Sequence, residues 1–218
     1  AAGLANLVLE VRDRVCQDDN AARNEFRVYL VAHSMGGLIC RSLLQNTDLE
    51  PAGATTKAQL AAARAMVDKV FTYATPHNGI DLKLIGNVPG FLSANNVDNF
   101  NRARMKQYLG LNPEAERVDS LDGKFDPDRF FCLVGTNDRD YEVAMGMSRR
   151  VVGPMSDGLV RIDNATVHGP PDAAGKQRHA PRAFVHRSHS GHYGIVNSEE
   201  GYQNLTRFLF GDVRIDGE

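Results

Sequence analysis

The sequence predicts an α/β fold in which a mostly parallel sheet is flanked by helices. Three apolar runs, at residues 26–32, 69–75 and 129–135, have the composition of β-strands. Such runs without a clean polar alternation are typical of parallel strands buried on both faces. Segments with helical patterns lie between them, and strands that alternate with helices indicate βαβ units.

The N-terminal elements follow in a regular order. Apolar residues at helical spacing predict an amphipathic helix over residues 2–17. After the strand at 26–32, a second helix is expected over 38–45. A loop at 47–56 then leads to a third helix over 57–66, which consists largely of strong helix formers.

A weaker fourth strand and a closing helix are expected near the C-terminus. Residues 183–188 form the strand and residues 197–211 the helix. Asn197 is the expected N-cap, with Glu200 reaching back to it, and Gly211 ends the helix.

Two long stretches interrupt the alternation of this single domain of residues 1–218. Residues 77–128 are too long for an ordinary connection, and we expect a lid or cap insertion there. Residues 136–182 are polar and rich in proline and are expected to cover one end of the sheet. The apolar patch of the expected lid comprises Leu82, Leu84, Ile85, Val88, Phe91 and Leu92.

The composition excludes several classes of protein. The 218 residues carry a formal net charge of −2, and 42% of them are hydrophobic. The balanced charge argues against a nucleic-acid partner, and no apolar run approaches the ~20 residues that span a bilayer. Cys16, Cys40 and Cys132 are too few for a disulfide framework or a zinc site and are expected to be buried thiols.

The sharpest motif is Ala-His-Ser-Met-Gly-Gly at residues 32–37, between a predicted strand and a predicted helix. A serine on such a turn has strained backbone geometry and an exposed hydroxyl. The turn brings the residues two before and two after it together, so both must be small, as Ala32 and Gly36 are. The N–H of Met35, at the helix start, would face an oxyanion.

This motif resembles the nucleophile elbow of the α/β-hydrolase family, usually Gly-x-Ser-x-Gly. Ala32 replaces the first glycine, as in some bacterial lipases. The resemblance implies that Ser34 is a nucleophile and that Met35 contributes to an oxyanion hole. His33, as the neighbour of Ser34, is expected to point away from the hydroxyl and to have a supporting role.

A serine nucleophile needs a base, and in this family the chain order is serine, acid, histidine. Of the seven histidines, His186, His189 and His192 follow the last predicted strand. Residues 191–198 resemble the segment around the catalytic histidine of small bacterial lipases, and we therefore favour His192 over His189. A metal site is disfavoured because residues three apart on a strand face opposite sides.

Two aspartates are candidates for the acid. Asp138 follows the third strand directly, where many hydrolases place this residue, but an Asx turn would also explain it. Asp157 lies in the segment Ser-Asp-Gly-Leu-Val, which resembles the acid-bearing segment of lipase-like members. We favour Asp157.

A fourth segment, Thr-Pro-His-Asn-Gly at residues 75–79, is similar to a motif of triacylglycerol lipases and of inositol-deacylase-like relatives. We expect it to fix the loop beside the nucleophile and assign it no chemical step. The four segments occur in the order that the family shows.

The sequence departs from the family before the elbow. Only about 25 residues precede the first predicted strand, and the early strands and the family's oxyanion loop have no counterpart. A sheet with an open apolar edge should pair with a further strand, from the same chain or from another. We therefore expect this chain to be the C-terminal portion of the full fold, completed by an N-terminal portion or a partner chain.

The resemblance implies a serine ester hydrolase, a lipase or carboxylesterase, that acts on a small acyl ester or lipid without a cofactor or metal. Ser34, Asp157 and His192 are its expected catalytic residues. Two alternatives stay open: a non-catalytic binding module on a hydrolase scaffold, and a serine amidase or lipid-anchor deacylase.

Overall fold

A four-stranded parallel sheet is the centre of the structure. The computed structural model describes residues 1–80, 97–140 and 154–212. The sheet has the strand order β1-β2-β3-β6, and the strands β4 and β5 form a separate antiparallel pair. The strands are β1 (Val28–His33), β2 (Val67–Tyr73), β3 (Phe130–Gly135), β4 (His168–Pro171), β5 (Gln177–His179) and β6 (Arg182–Val185).

Helices lie on both faces of this sheet. They are α1 (Ala2–Cys16), α2 (Asn20–Glu25), α3 (Met35–Gln45), α4 (Lys57–Ala65), α5 (Arg102–Leu109) and α6 (Glu199–Phe210). Successive residues of β2 belong to different buried clusters: Val70 packs with Cys40 and Leu44 of α3, while Phe71 packs with Phe208 of α6. Because successive side chains of a strand point to opposite faces, α3 and α6 cover opposite faces of the sheet.

The four main strands and the four main helices that the sequence predicts are present, with shifted ends. β2 ends at Tyr73 and not at residue 75, because Ala74 takes a φ of 49° and turns the chain out of the strand. The closing helix is capped by Ser198 and not by Asn197, since the Ser198 hydroxyl accepts the hydrogen bond from the Gly201 N–H.

The expected lid segment, residues 77–128, is described only in part. Its apolar patch at residues 82–92 lies outside the described residues, so the lid stays a prediction. The described remainder, 97–128, contributes to the main core: Phe100, Met105 and Leu109 are buried in one cluster with Leu38 of α3.

β1 is at the edge of the sheet that the described residues form. It pairs with β2 along one side, and no described strand pairs with its other side. On the face that carries α6, Tyr29 is 41% exposed and Val31 49% exposed. This is the apolar edge that the sequence predicts, and what covers it stays a prediction. Across the described ranges, no helix is both long and apolar enough to traverse a bilayer.

The buried carboxylate of Asp119 forms ion pairs with the partly exposed side chains of Arg117 and of His168 on β4. One oxygen of Asp119 lies 2.6 Å from Nη2 of Arg117, and the other lies 3.6 Å from Nε2 of His168. Burial raises the pKa of Asp119, but the hydrogen bonds from His168 and Arg117 outweigh it and hold that pKa well below its ordinary value. The hydrogen bond to Asp119 in turn raises the pKa of His168 above its ordinary value.

These shifts predict that the ion pair stabilises the fold most at mildly acidic pH. The contribution of Asp119 is lost as the pH falls below its ordinary pKa of 3.8, and that of His168 is lost as the pH rises through its raised pKa. Asp119→Asn should therefore lower the free energy of unfolding by about 1–3 kcal/mol near pH 5.5 and by less near pH 9. Urea denaturation at both pH values measures this.

His168→Gln is the matched control, because it removes the titrating ring and keeps a polar side chain of similar reach. In that background the effect of Asp119→Asn should no longer depend on pH above about pH 5. An equal loss of stability at both pH values in the wild-type background would contradict the assignment.

Candidate active site

The turn between β1 and α3 holds Ser34 in a strained conformation. Ser34 has a φ of 53° and a ψ of −127°, in a region that non-glycine residues rarely adopt. Its N–H donates to the carbonyl oxygen of Tyr73 on β2 at 2.9 Å. Its own carbonyl oxygen accepts hydrogen bonds from the Gly37 N–H at 3.2 Å and from the Thr75 hydroxyl at 2.8 Å. The strain is therefore held in place by two neighbouring segments.

Small residues make the turn possible. A Cβ at Gly36 would lie 3.3 Å from the Cβ of Ala32. The alanine two residues before Ser34 is therefore tolerated because the residue two positions after Ser34 is a glycine. A Cβ at Gly37 would lie 2.3 Å from the Thr75 hydroxyl oxygen. Gly37 thus leaves the space in which Thr75 reaches the Ser34 carbonyl.

The segment at residues 75–79 is fixed by buried polar contacts. The carbonyl of His77 accepts a hydrogen bond from Nη1 of Arg41 at 2.8 Å, and Asn78 donates to the Asn164 side chain at 2.9 Å. Burial lowers the pKa of Arg41 to about 10, and its guanidinium also donates to the carbonyls of Val118 and Ser120. Arg41 is not among the residues predicted from the sequence, although a basic residue within the apolar run 38–45 is a signal for a buried polar role.

Three side chains from distant parts of the chain meet at the turn. Nε2 of His189 lies 3.0 Å from Oγ of Ser34, and Nδ1 of His189 lies 3.0 Å from Oδ2 of Asp157. His189 is 2% exposed and Asp157 1% exposed, whereas Ser34 is half-buried. A hydroxyl, an imidazole and a carboxylate in this order can form a nucleophile, a base and the group that orients the base.

The loop around Asp157 fixes the carboxylate. Its Oδ1 accepts hydrogen bonds from the N–H groups of Leu159 and Val160 at 3.0 and 2.7 Å, which leaves Oδ2 for His189. A Cβ at Gly135, the last residue of β3, would lie 2.8 Å from the Cβ of Asp157. A side chain at residue 135 would clash with the loop that carries Asp157, so this position requires a glycine.

The histidine at Ser34 is His189, which corrects the expected choice of His192. His192 is exposed, and its ring packs against Tyr193 with 4.9 Å between the centroids. His192 lies in a tight turn, which is closed by a hydrogen bond from the Gly194 N–H to the Gly191 carbonyl. In this turn the side chain of His192 faces solvent. Gly191 and Gly194 therefore form a turn that leaves His192 exposed.

One feature of the sequence fits His189 without excluding His192. β6 ends at Val185, so His189 lies four residues beyond the carboxyl end of its strand, at the sheet edge where Ser34 also lies. The two serines that flank His189 suit a buried polar loop, and Ser188 is indeed fully buried.

The other candidates occupy different places. Asp138 is half-buried in the turn after β3, and the structure does not bring it to His189, whose Nδ1 faces Asp157. His186 is exposed. Met35 is the first residue of α3, so its N–H is one of those that have no acceptor within the helix. Nε2 of His33 lies 2.9 Å from the carbonyl oxygen of His189.

Metal-binding geometry is absent from the part of the chain that the structure describes. No group of three or more histidine, cysteine, aspartate or glutamate side chains there could hold an ion. Cys16, Cys40 and Cys132 are all buried free thiols.

The chain is similar in structure to solved proteins, whereas comparisons of sequence find no match. No protein-family model matches the chain, and no curated protein matches it significantly. The lipase BlEst2 of Bacillus licheniformis in its propeptide form has a TM-score of 0.55 at 17% identity over 100% of this chain and 41% of its own. Its mature form has a TM-score of 0.49 at 20% identity, over 96% of this chain and 70% of its own.

Phospholipase PlaB from Legionella pneumophila, in complex with thio-NAD, has a TM-score of 0.51 at 19% identity. The match covers 96% of this chain and 48% of PlaB, so this chain spans less than half of PlaB and of the BlEst2 propeptide form. At these identities the likeness concerns the fold. The predicted fold class is confirmed: the chain has an α/β-hydrolase-type fold, with a mostly parallel sheet flanked by helices.

Proposed function

We propose that this protein is a serine hydrolase that cleaves acyl esters of the lipase or carboxylesterase class. The observation that carries the proposal is the continuous set of contacts from the Ser34 hydroxyl through His189 to Asp157, with 3.0 Å at each step. The likeness of the fold to a lipase and a phospholipase supports an acyl ester or lipid as the substrate.

The proposed reaction has two halves. His189 Nε2 takes the proton from the Ser34 hydroxyl as its oxygen attacks the acyl carbonyl carbon, and the Met35 N–H donates to the oxyanion that forms. His189 then gives the proton to the departing alcohol, which leaves an acyl group on Ser34. In the second half, His189 takes a proton from water as the water oxygen attacks the acyl carbon; the bond from that carbon to Ser34 Oγ then breaks, His189 returns the proton to Oγ, and the acid is released.

Asp157 keeps the ring of His189 in the orientation and tautomer that this cycle needs. Its Oδ2 faces Nδ1, so the proton on Nδ1 is held there and Nε2 is left to accept from Ser34. Its other oxygen is occupied by two backbone N–H groups, which keeps the carboxylate from rotating.

The test is a series of p-nitrophenyl esters of increasing chain length, combined with a fluorophosphonate probe. The proposal expects ester hydrolysis and a covalent probe adduct on the peptide that contains Ser34. A rate maximum at short chains identifies an esterase, and a maximum at long chains that sharpens at an interface identifies a lipase. An adduct on another residue, or hydrolysis of amides in preference to esters, would overturn the proposal.

Asp157→Asn is expected to lower kcat by about 10⁴-fold, because an amide in that place favours the wrong tautomer of His189. The matched control is Asp138→Asn, which makes the same change of charge 19 residues earlier and should leave kcat within about twofold. Steady-state hydrolysis of one p-nitrophenyl ester measures both. A large loss in Asp138→Asn alone would move the acid to the turn after β3.

The open edge of β1 supports a second part of the proposal. Tyr29 and Val31 are large apolar side chains with about half of their surface exposed, next to a strand edge that no described residue pairs with. We expect further strands, from an N-terminal portion or a partner chain, to cover this edge and to supply a second oxyanion donor beside Met35.

A further inference from the structure

His33 links the nucleophile strand to the backbone of the histidine loop. Nε2 of His33, the last residue of β1, lies 2.9 Å from the carbonyl oxygen of His189. A carbonyl oxygen can only accept, so Nε2 of His33 carries a proton and donates it. Neighbouring residues 33 and 34 therefore contact His189 at two points: His33 at its backbone and Ser34 at its ring.

The backbone of His189 is thereby held on both sides. Its N–H donates to the carbonyl of Asp157 at 2.8 Å, and its carbonyl accepts from His33. The side chain is held at Nδ1 by Asp157 and at Nε2 by Ser34. The loop that carries His189 follows β6, an edge strand that pairs only with β3 among the described strands. The contact with His33 ties this loop to the opposite side of the site.

The chemistry of an imidazole suits this place. The two rings lie 4.9 Å apart, so a permanent cation at residue 33 would repel the imidazolium that forms on His189. Burial and the neighbouring His189 lower the pKa of His33, although the backbone hydrogen bond and Asp157 oppose this. His33 is therefore neutral at neutral pH and offers a single N–H donor without a charge.

We infer that His33 is a positioning residue of the proposed hydrolase, which sets the place of the His189 ring by holding its backbone carbonyl. This inference rests on the proposed function and adds a role that the expected triad does not include. A supporting role was expected for His33 from the sequence, and the structure assigns the atom through which that support acts.

Two substitutions of His33 with side chains of similar size distinguish the effect of its hydrogen bond from the effect of its packing. His33→Gln places an N–H donor about where Nε2 lies, whereas His33→Met fills similar space without a donor. Both are measured in the protein at its natural length, by the rate of fluorophosphonate labelling, by kcat and KM for a p-nitrophenyl ester, and by the thermal midpoint.

The inference expects His33→Met to lower kcat and the labelling rate by about 10–100-fold, with KM within about threefold, since the reacting groups are misplaced and substrate contacts are kept. His33→Gln should restore both rates to within about threefold of the wild type. The NMR resonance of the His189 Nδ1 proton, which lies between His189 and Asp157, should shift in His33→Met and stay in place in His33→Gln.

Equal rates in the wild type and in His33→Met would overturn the inference, and so would a His33→Gln variant as slow as His33→Met. A wild type whose hydrolysis is unchanged by Ser34→Ala would instead overturn the proposed function. The two failures are therefore distinct. A loss of rate in His33→Met accompanied by an equal loss of rate and of thermal stability in His33→Gln would indicate a packing role and would likewise overturn the inference.

Discussion

His189→Ala is expected to lower kcat for ester hydrolysis by about 10⁶-fold, the scale of losing a triad base in a serine hydrolase. The substitution removes the imidazole whose Nε2 lies 3.0 Å from Oγ of Ser34 and which takes its proton in the proposed reaction. The carboxylate of Asp157 then has no ring to orient, so a simultaneous change of Asp157 should cost little more. Steady-state kinetics of the single and double variants measure both statements.

His192→Ala is the matched control for this experiment. It removes the same side chain three residues further on, from an exposed turn, and should leave kcat within about twofold. The pair decides between the two histidines that the sequence left as candidates. If His192→Ala were the inactive variant, the loop would have to adopt another arrangement in the active protein.

Ser34→Ala should abolish fluorophosphonate labelling and lower kcat by a similar factor of about 10⁶. The substitution removes one oxygen atom and leaves the turn to a residue that still has a Cβ at the φ of 53°. Its fold should therefore be kept, which a thermal midpoint close to that of the wild type would show.

The residual rate of Ser34→Ala is informative in its own right. Because the Met35 N–H remains, water attack on the ester should still exceed the uncatalysed reaction, by about 10³-fold in comparable enzymes. Labelling that persists in Ser34→Ala would place the nucleophile elsewhere and would refute the proposed mechanism.

The parts of the fold that the sequence predicts well are those fixed by local composition. β1 and β3 lie within one or two residues of their expected positions, because runs of apolar and β-branched residues favour strands. Burial on both faces, which the sequence predicts for these runs, holds for most of β3 but not for β1, where Tyr29 and Val31 are exposed. The turn at Ser34 could also be predicted from local sequence. The close approach of residues 32 and 36 requires small side chains at both, and Ala32 and Gly36 are four residues apart in the chain.

The features that the sequence could not give depend on distant contacts. Which histidine faces Ser34 depends on contacts between segments far apart in the chain: the His189 N–H donates to the Asp157 carbonyl, and the His189 carbonyl accepts from His33. The choice of Asp157 came from a resemblance, and the N–H groups that hold its carboxylate lie in a loop with no regular structure.

The strand β6 has a consequence for how the protein loses activity. Among the described strands it pairs with β3 alone, and it leads directly into the loop of His189, which lies 155 residues along the chain from Ser34. Separation of this one strand would withdraw the proton acceptor and leave the serine turn and the rest of the sheet assembled. Under mild denaturation, inactivation should therefore precede global unfolding, and the hydrolytic rate would report the closure of this edge rather than the integrity of the whole molecule.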